Sequence, residues 1–283
     1  MTRLSVTQRI ATISLVAVTG FLLILGAVFW AHERQRTVLE MQHRATTKLA
    51  LTKSLAEEFL DARRREKDFL LRLDASYVEK HAGVIAGIRT DFAALDGLAD
   101  AGEADLLTSL NTRIDVYEAQ FAAVSTLMQK LGLDEESGLR GSLRAAVHRA
   151  EQLIEQHATD DLMVKLLMMR RHEKDFLIRK DPKYVGRLND RIAEFKDLMA
   201  DKQVDDAVKT QIAASLDAYS ADFAVLADAT IASIEEIATL SETFAAAEPV
   251  MDALRAGIEA NYADATATFE AISEEAYYIT LAL

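Results

Sequence analysis

Apolar residues recur at spacings of three and four along almost the whole chain, the period of one helix face. Leu55, Phe59, Ala62, Phe69 and Leu73 make one such stripe, and Leu162, Leu166, Met169 and Phe176 make another. A carboxylate stands in line with each, Glu66 in the first and Glu173 in the second. Beside each runs a stripe mixing bases with apolar groups: Ala56, Leu60, Arg63, Lys67 and Leu70, then Leu167, Arg170, Lys174 and Leu177. A charge in a half-buried position is costly unless it is paired. Two partners are open to these bases, the glutamates beside them or an anionic ligand.

The same periodicity predicts helices from about Glu33 to Leu73, Tyr77 to about Leu98 and about Ala104 to Leu131. Asp74-Ala75-Ser76, Asp100-Ala101-Gly102 and the segment Gly132 to Gly138 are the turns between them. A further helix runs from near Leu139 to Arg179, where Asp181-Pro182 stops it, followed by one to about Met199 and one from near Val204. Pro249 marks either a new helix or a kink, and Met251, Leu254, Ile258, Tyr262, Ala265, Phe269 and Ile272 then form another stripe.

The two charged stripes belong to a repeat. Arg63-Arg64-Arg65-Glu66-Lys67-Asp68-Phe69-Leu70 returns 107 residues later as Arg170-Arg171-His172-Glu173-Lys174-Asp175-Phe176-Leu177. Arg72, Asp74, Tyr77 and Val78 continue the match to Arg179, Asp181, Tyr184 and Val185. Asp115-x-Tyr117-x-x-x-Phe121-Ala122 is echoed by Asp217-x-Tyr219-x-x-x-Phe223-Ala224, offset 102. One supersecondary unit of roughly three helices is therefore used twice.

Ile10 to Trp30 is 21 residues without a charge. At ~1.5 Å rise per residue such a helix spans a ~30 Å hydrocarbon layer. Arg3 and Arg9 precede it and Trp30 closes it, so a signal anchor with residues 1–9 in the cytoplasm is expected. A cleavable signal peptide is the alternative, but no small-x-small cleavage site follows the run. At the other end, Tyr277 and Tyr278 precede the apolar Ile279 to Leu283, the pattern expected of an aromatic belt opening a second, truncated span over 277–283, with a frayed helix end as the alternative.

Composition narrows the function. Half of the 283 residues are hydrophobic, with two prolines and eleven glycines, which favours helix almost throughout. The net charge of -13 argues against nucleic acid. There is no cysteine, and the six histidines lack the spacing of a helical metal site. No nucleophile elbow, P-loop or dinucleotide-binding turn occurs, so neither a catalytic residue nor a cofactor or metal is expected. The fold expected is all-α: two stacked four-helix-bundle modules of long and short antiparallel helices, preceded by the transmembrane helix.

A repeated Arg-rich EKDFL motif in a helical region between membrane spans resembles the helical bimodular sensor domain of bacterial transmembrane receptors, most like methyl-accepting chemotaxis proteins. The resemblance covers residues 33–276. It implies a sensor domain in the periplasm, held in the bacterial inner membrane and forming a homodimer. It also implies small carboxylate ligands of two to four carbons, tricarboxylic-acid-cycle intermediates among them. By position it places the ligand-contacting arginines at Arg63, Arg64, Arg170 and Arg171. Lys67 and Lys174 are further candidates, and Tyr117 and Tyr219 either pack in the core or offer a hydroxyl to the bound acid. The third base differs, Arg65 against His172, so the two sites need not prefer the same ligand. The competing reading is a histidine-kinase input domain that docks a periplasmic binding protein, with the Arg motifs purely structural; a passive stalk is the third.

Overall fold

The computed structural model describes residues 6–157 and 159–282, the side chains of residues 8, 9 and 279–282 excepted. Most of the expected segment 1–9 therefore lies outside the described residues, as do Leu283 and the side chains of the apolar end 279–283. The described chain is helical, with no strand: α1 (Val6–Arg72), α2 (Ser76–Asp96), α3 (Ala104–Leu131), α4 (Gly138–His157), α5 (Asp160–Arg179), α6 (Lys183–Ala200) and α7 (Asp206–Ala282).

α1 contains a stretch long and apolar enough to cross a membrane, and none of that stretch is buried. Its large apolar groups, from Ile10 to Trp30, are exposed. α7 continues through Pro249 without a break. A helix is expected to pay a few kcal/mol for an interior proline, and here Ala247 and Met251 on either side are buried, so packing holds the helix together.

The helix expected from near Leu139 to Arg179 is instead two, α4 and α5. Thr159 is extended (φ -98°, ψ 159°) and occupies the N-cap position of α5 without a side-chain capping hydrogen bond. Asp160 and Asp161 lie in the first turn, where carboxylates favour the helix start, and Asp161 accepts hydrogen bonds from the Thr159 hydroxyl and the Leu162 amide. Lys202 pairs with Asp161 and holds its carboxyl down to about 2, with the Thr159 hydroxyl assisting.

The repeat extends to the backbone. α1 and α5 both end on a left-handed residue that is not glycine, Leu73 (φ 53°) and Lys180 (φ 56°), 107 positions apart. Leu73 N–H donates to the Phe69 carbonyl at 2.8 Å and Lys180 N–H to the Phe176 carbonyl at 2.7 Å, the same closing bond. Asp74 then accepts the Ser76 amide at 2.9 Å and Asp181 the Lys183 amide at 3.0 Å, which starts the next helix. Glycine appears where the connection between α3 and α4 requires it: Gly132 has φ 103°, and a Cβ there would strike the Ser137 carbonyl.

The chain divides into two compact units. The first comprises Met1–Phe59, Gly87–Asn111 and Pro249–Leu283, with a core that includes Leu55, Ile88, Leu95, Leu107, Leu110 and Leu254. The second comprises Leu60–Ala86 and Thr112–Glu248, with Phe69, Tyr117, Phe176, Phe195, Tyr219 and Phe223 at its core. Both copies of the charged motif fall in the second unit, so the duplication does not assign one copy to each.

Leu73 and Lys180 sit where an L side chain costs roughly 1–2 kcal/mol. Lys180→Gly is expected to raise stability by about 1 kcal/mol, less what the freer unfolded chain takes back, read as a rise in the denaturation midpoint. A fall would show that the Lys180 side chain is worth more than its backbone strain.

Candidate functional site

In the first copy, Glu66 is fully buried in line with Leu55, Phe59, Ala62 and Phe69, all buried with it. Three donors compensate its charge. Arg63 Nη1 reaches both carboxylate oxygens, at 2.5 and 2.6 Å, and Lys67 Nζ lies 3.1 Å from Oε1. The Tyr117 hydroxyl, from α3, donates to Oε2 at 3.0 Å. The Arg63 guanidinium also lies 4.9 Å from the Phe244 ring centroid, so its free face is covered. Burial first, then the Glu66 charge, pushes the Tyr117 phenol well above its usual range, which keeps it a donor.

His81 of α2 closes this network. Its Nε2 is 3.4 Å from the Tyr117 hydroxyl, and its ring stacks on Phe121 at 3.9 Å. Because Tyr117 gives its proton to Glu66, His81 meets a lone pair and Nε2 is assigned as the protonated nitrogen. Burial holds the His81 imidazole down to about 4, with Glu66 and Glu118 partly offsetting it.

The second copy repeats the carboxylate and changes what surrounds it. Glu173 is buried and accepts the Tyr219 hydroxyl at 2.8 Å and Lys174 at 3.1 Å. Phe176 meets Phe223 edge-on at 5.5 Å, as Phe69 meets Phe121 at 5.8 Å. Arg170, however, turns from the glutamate of its own helix to Glu151 of α4, at 3.0 and 3.2 Å. The position equivalent to His81 is Leu188, fully buried. His172 stands where the first copy has Arg65; its Nδ1 is buried without a hydrogen-bond partner, and burial and then Arg187 and Arg191 depress its pKa.

A cavity of about 270 Å³ lies beside the second copy, within the second unit. Arg140, Arg144 and His148 of α4 line one side, Arg170, Glu173 and Lys174 of α5 the other, with Glu135 at the edge and Leu143, Val147, Leu177 and Leu226 as apolar wall. Four permanent cations thus face two carboxylates. Arg144 pairs with Glu135 at 2.8 Å and Arg170 with Glu151. Arg140 has no acidic partner among the described residues; its Nη1 donates to the Gly132 carbonyl at 3.0 Å. Its charge reaches further: Lys180 is held below its ordinary pKa by burial and then by Arg140.

The sequence candidates therefore separate. Arg170 and Lys174 line the cavity. Arg63 and Lys67 are bound to Glu66. Tyr117 and Tyr219 are fully buried with their hydroxyls on the protein's own carboxylates, not turned to a ligand. Arg64 is exposed and paired with Asp61, and Arg171 is exposed, 4.0 Å from Asp175. In the stripe read as half-buried, Ala56, Arg63, Leu70, Arg170 and Leu177 are half-buried, but Leu60 and Leu167 are 62% and 53% exposed. Arg140, Arg144 and His148 were missed, although their spacing of four along α4 was a readable cationic row. No protein-family model matches the chain, and no curated protein matches it.

Two measurements check this geometry. Glu66→Gln leaves Arg63 and Lys67 without their shared counter-charge and is expected to cost about 2 kcal/mol, more than Glu173→Gln, because Arg170 keeps Glu151. Equal losses would contradict the difference between the copies. His81 gives a pH dependence: between pH 6.5 and about 4 the unfolded chain takes a proton that the folded chain refuses. Its contribution is present above 6.5 and lost as pH falls toward 4, by about 3 kcal/mol. His81→Leu, which copies Leu188, is expected to flatten the acid limb of the stability profile; an unchanged slope would rule this out.

Proposed function

We propose that the chain is the ligand-sensing region of a bacterial transmembrane receptor, similar to helical bimodular sensor domains, and that it reads a small carboxylate. The single observation that carries this reading is Arg140. A part-buried guanidinium without an acidic partner, in a cavity whose permanent cations outnumber its carboxylates, is a place for an anion. The acid would lie between Arg140 and Arg144 of α4 and Arg170 and Lys174 of α5, its carbon chain against Leu143, Val147 and Leu226. The first copy would then be a structural counterpart, its cation already used. In this reading residues 10–30 anchor the protein in the inner membrane and residues 33–276 form the periplasmic sensor, two stacked four-helix modules acting as a homodimer. Binding would carry no chemistry. It would signal only through its difference in affinity between two arrangements of the helices.

A second reading, docking of a periplasmic binding protein, has one observation in its favour. α5 exposes Val164, Leu167, Met168 and Ile178, and the first copy exposes Leu60 and Leu71 at positions equivalent to Leu167 and Ile178. Apolar groups repeated on an outer face suit a protein surface.

Calorimetry on the full chain in lipid nanodiscs, with acetate, malate and succinate, tests the first reading. At least one acid is expected to bind. Arg140→Gln or Arg170→Gln is expected to weaken it by about 1.5–3 kcal/mol, roughly 10- to 150-fold. Arg63→Gln is expected to lower stability and leave affinity unchanged. No binding by any acid, or binding indifferent to Arg140 and Arg170, would reject the assignment.

A further inference from the structure

The first unit carries a second cavity of about 300 Å³, lined by residues of α1 and α7 and by Asp100. Its charges differ in kind from those beside the second motif. At its floor Lys48 is buried and bound to Asp100 at 2.6 Å and Glu103 at 2.8 Å. Glu103, also buried, accepts the Asp100 amide at 3.0 Å and the Asn261 side-chain amide at 3.3 Å. Burial would lower the Lys48 ammonium, but the hydrogen bonds to Asp100 and Glu103 outweigh it and hold its pKa raised. Lys48 is thus neutralised by two acids and has no charge to spare for an anion; the floor carries one negative charge in excess. Arg44 on α1 and Asp264 on α7 stand in the cavity wall, and neither has an ion pair or side-chain hydrogen bond among the described residues. They do not pair with each other.

We propose that this cavity binds a small zwitterion of the α-amino acid class. The ammonium would lie toward Asp264 and the negative floor, the carboxylate would meet the Arg44 guanidinium, and a short aliphatic side chain would lie on Met41, Ala45 and Ile258. A simple dicarboxylate would leave Asp264 uncompensated and meet the excess negative charge of the floor. A diamine would leave Arg44 uncompensated. Only a ligand with both charges satisfies both walls. The volume is at the small end of the usual range for ligand cavities, about 300–1,000 Å³.

The reading stands apart from that of the carboxylate cavity, and its test keeps them separate. The full chain in lipid nanodiscs is titrated by calorimetry with alanine, valine, succinate and putrescine. Alanine or valine is expected to bind. Arg44→Gln and Asp264→Asn are expected each to weaken that binding by about tenfold or more. Both variants should leave succinate binding as it was, while Arg140→Gln should change succinate binding alone. Both substituted residues are exposed, and an unchanged thermal melt confirms that the variants fold. The proposal is overturned if no amino acid binds, if amino acids bind equally to both variants, or if putrescine binds as well as alanine. It is overturned too if the variants change the oligomeric state and no amino acid binds, since a second copy of the chain then occupies the wall.

Discussion

A carboxylate buried among apolar side chains is the constraint on which the second unit depends. An uncompensated charge in such a place is expelled or protonated, at a cost of several kcal/mol. Glu66 and Glu173 avoid this by collecting donors from more than one helix, a neighbouring lysine and a tyrosine from across the core. The tyrosine must come from a set distance along a set helix. The carboxylate therefore fixes which turn of α3 faces α1, and which turn of α7 faces α5. Apolar contacts alone tolerate sliding by a turn; a buried Glu–Tyr hydrogen bond does not.

The duplicated motif is legible as a repeat because this constraint is written in residue types. Glu in line with Leu and Phe, Lys directly after it, and Tyr one turn before Phe on a later helix were all visible in the sequence. What they were for was not. Tyr117 and Tyr219 read either as core rings or as hydroxyls for a bound acid, since nothing in a single sequence says which buried carboxylate a distant tyrosine meets. The exposure of Leu60 and Leu167 within an otherwise half-buried stripe was hidden for a related reason: adjacent stripes on one helix differ by about 100°, and only packing decides how far each member turns inward. The break before α5 was written in Thr159, Asp160 and Asp161, a start signal overridden in the reading by continuous apolar periodicity. The left-handed caps at Leu73 and Lys180 had no signal at all, because glycine, the usual marker, is absent from both.

The copies diverge at one arginine. Arg63 satisfies its own helix's glutamate and is covered by Phe244, which leaves the first network closed. Arg170 answers to Glu151 on α4, a separate helix where the first repeat, 107 residues earlier, has an unbroken part of α1. Its departure leaves Glu173 with fewer donors and brings a guanidinium to the edge of a cavity. Lys174 of α5 stands beside it, and α4 supplies Arg140 and Arg144 from a single row. The sequence difference between the copies, by contrast, drew attention to Arg65 and His172, which lie outside the cavity.

An overall charge of -13 makes a cationic cavity harder to maintain, and this bears on which of the proposed anions could reach it. Across an exposed surface, charges beyond roughly 8–10 Å are screened, so the acidic exterior does not cancel Arg140 at close range. At longer range the same exterior repels polyanions while slowing a small mono- or dianion far less. For the proposed carboxylate, such an arrangement would discriminate by total charge before contact and by geometry after it. The first unit applies the opposite sign with the same means, the buried Glu103 and the exposed Asp100 on one buried lysine, and leaves one negative charge in excess in the cavity that Arg44 also lines. Two cavities of similar volume in one helical chain thereby differ in the charge they can accept, through pairings that a handful of side chains decide.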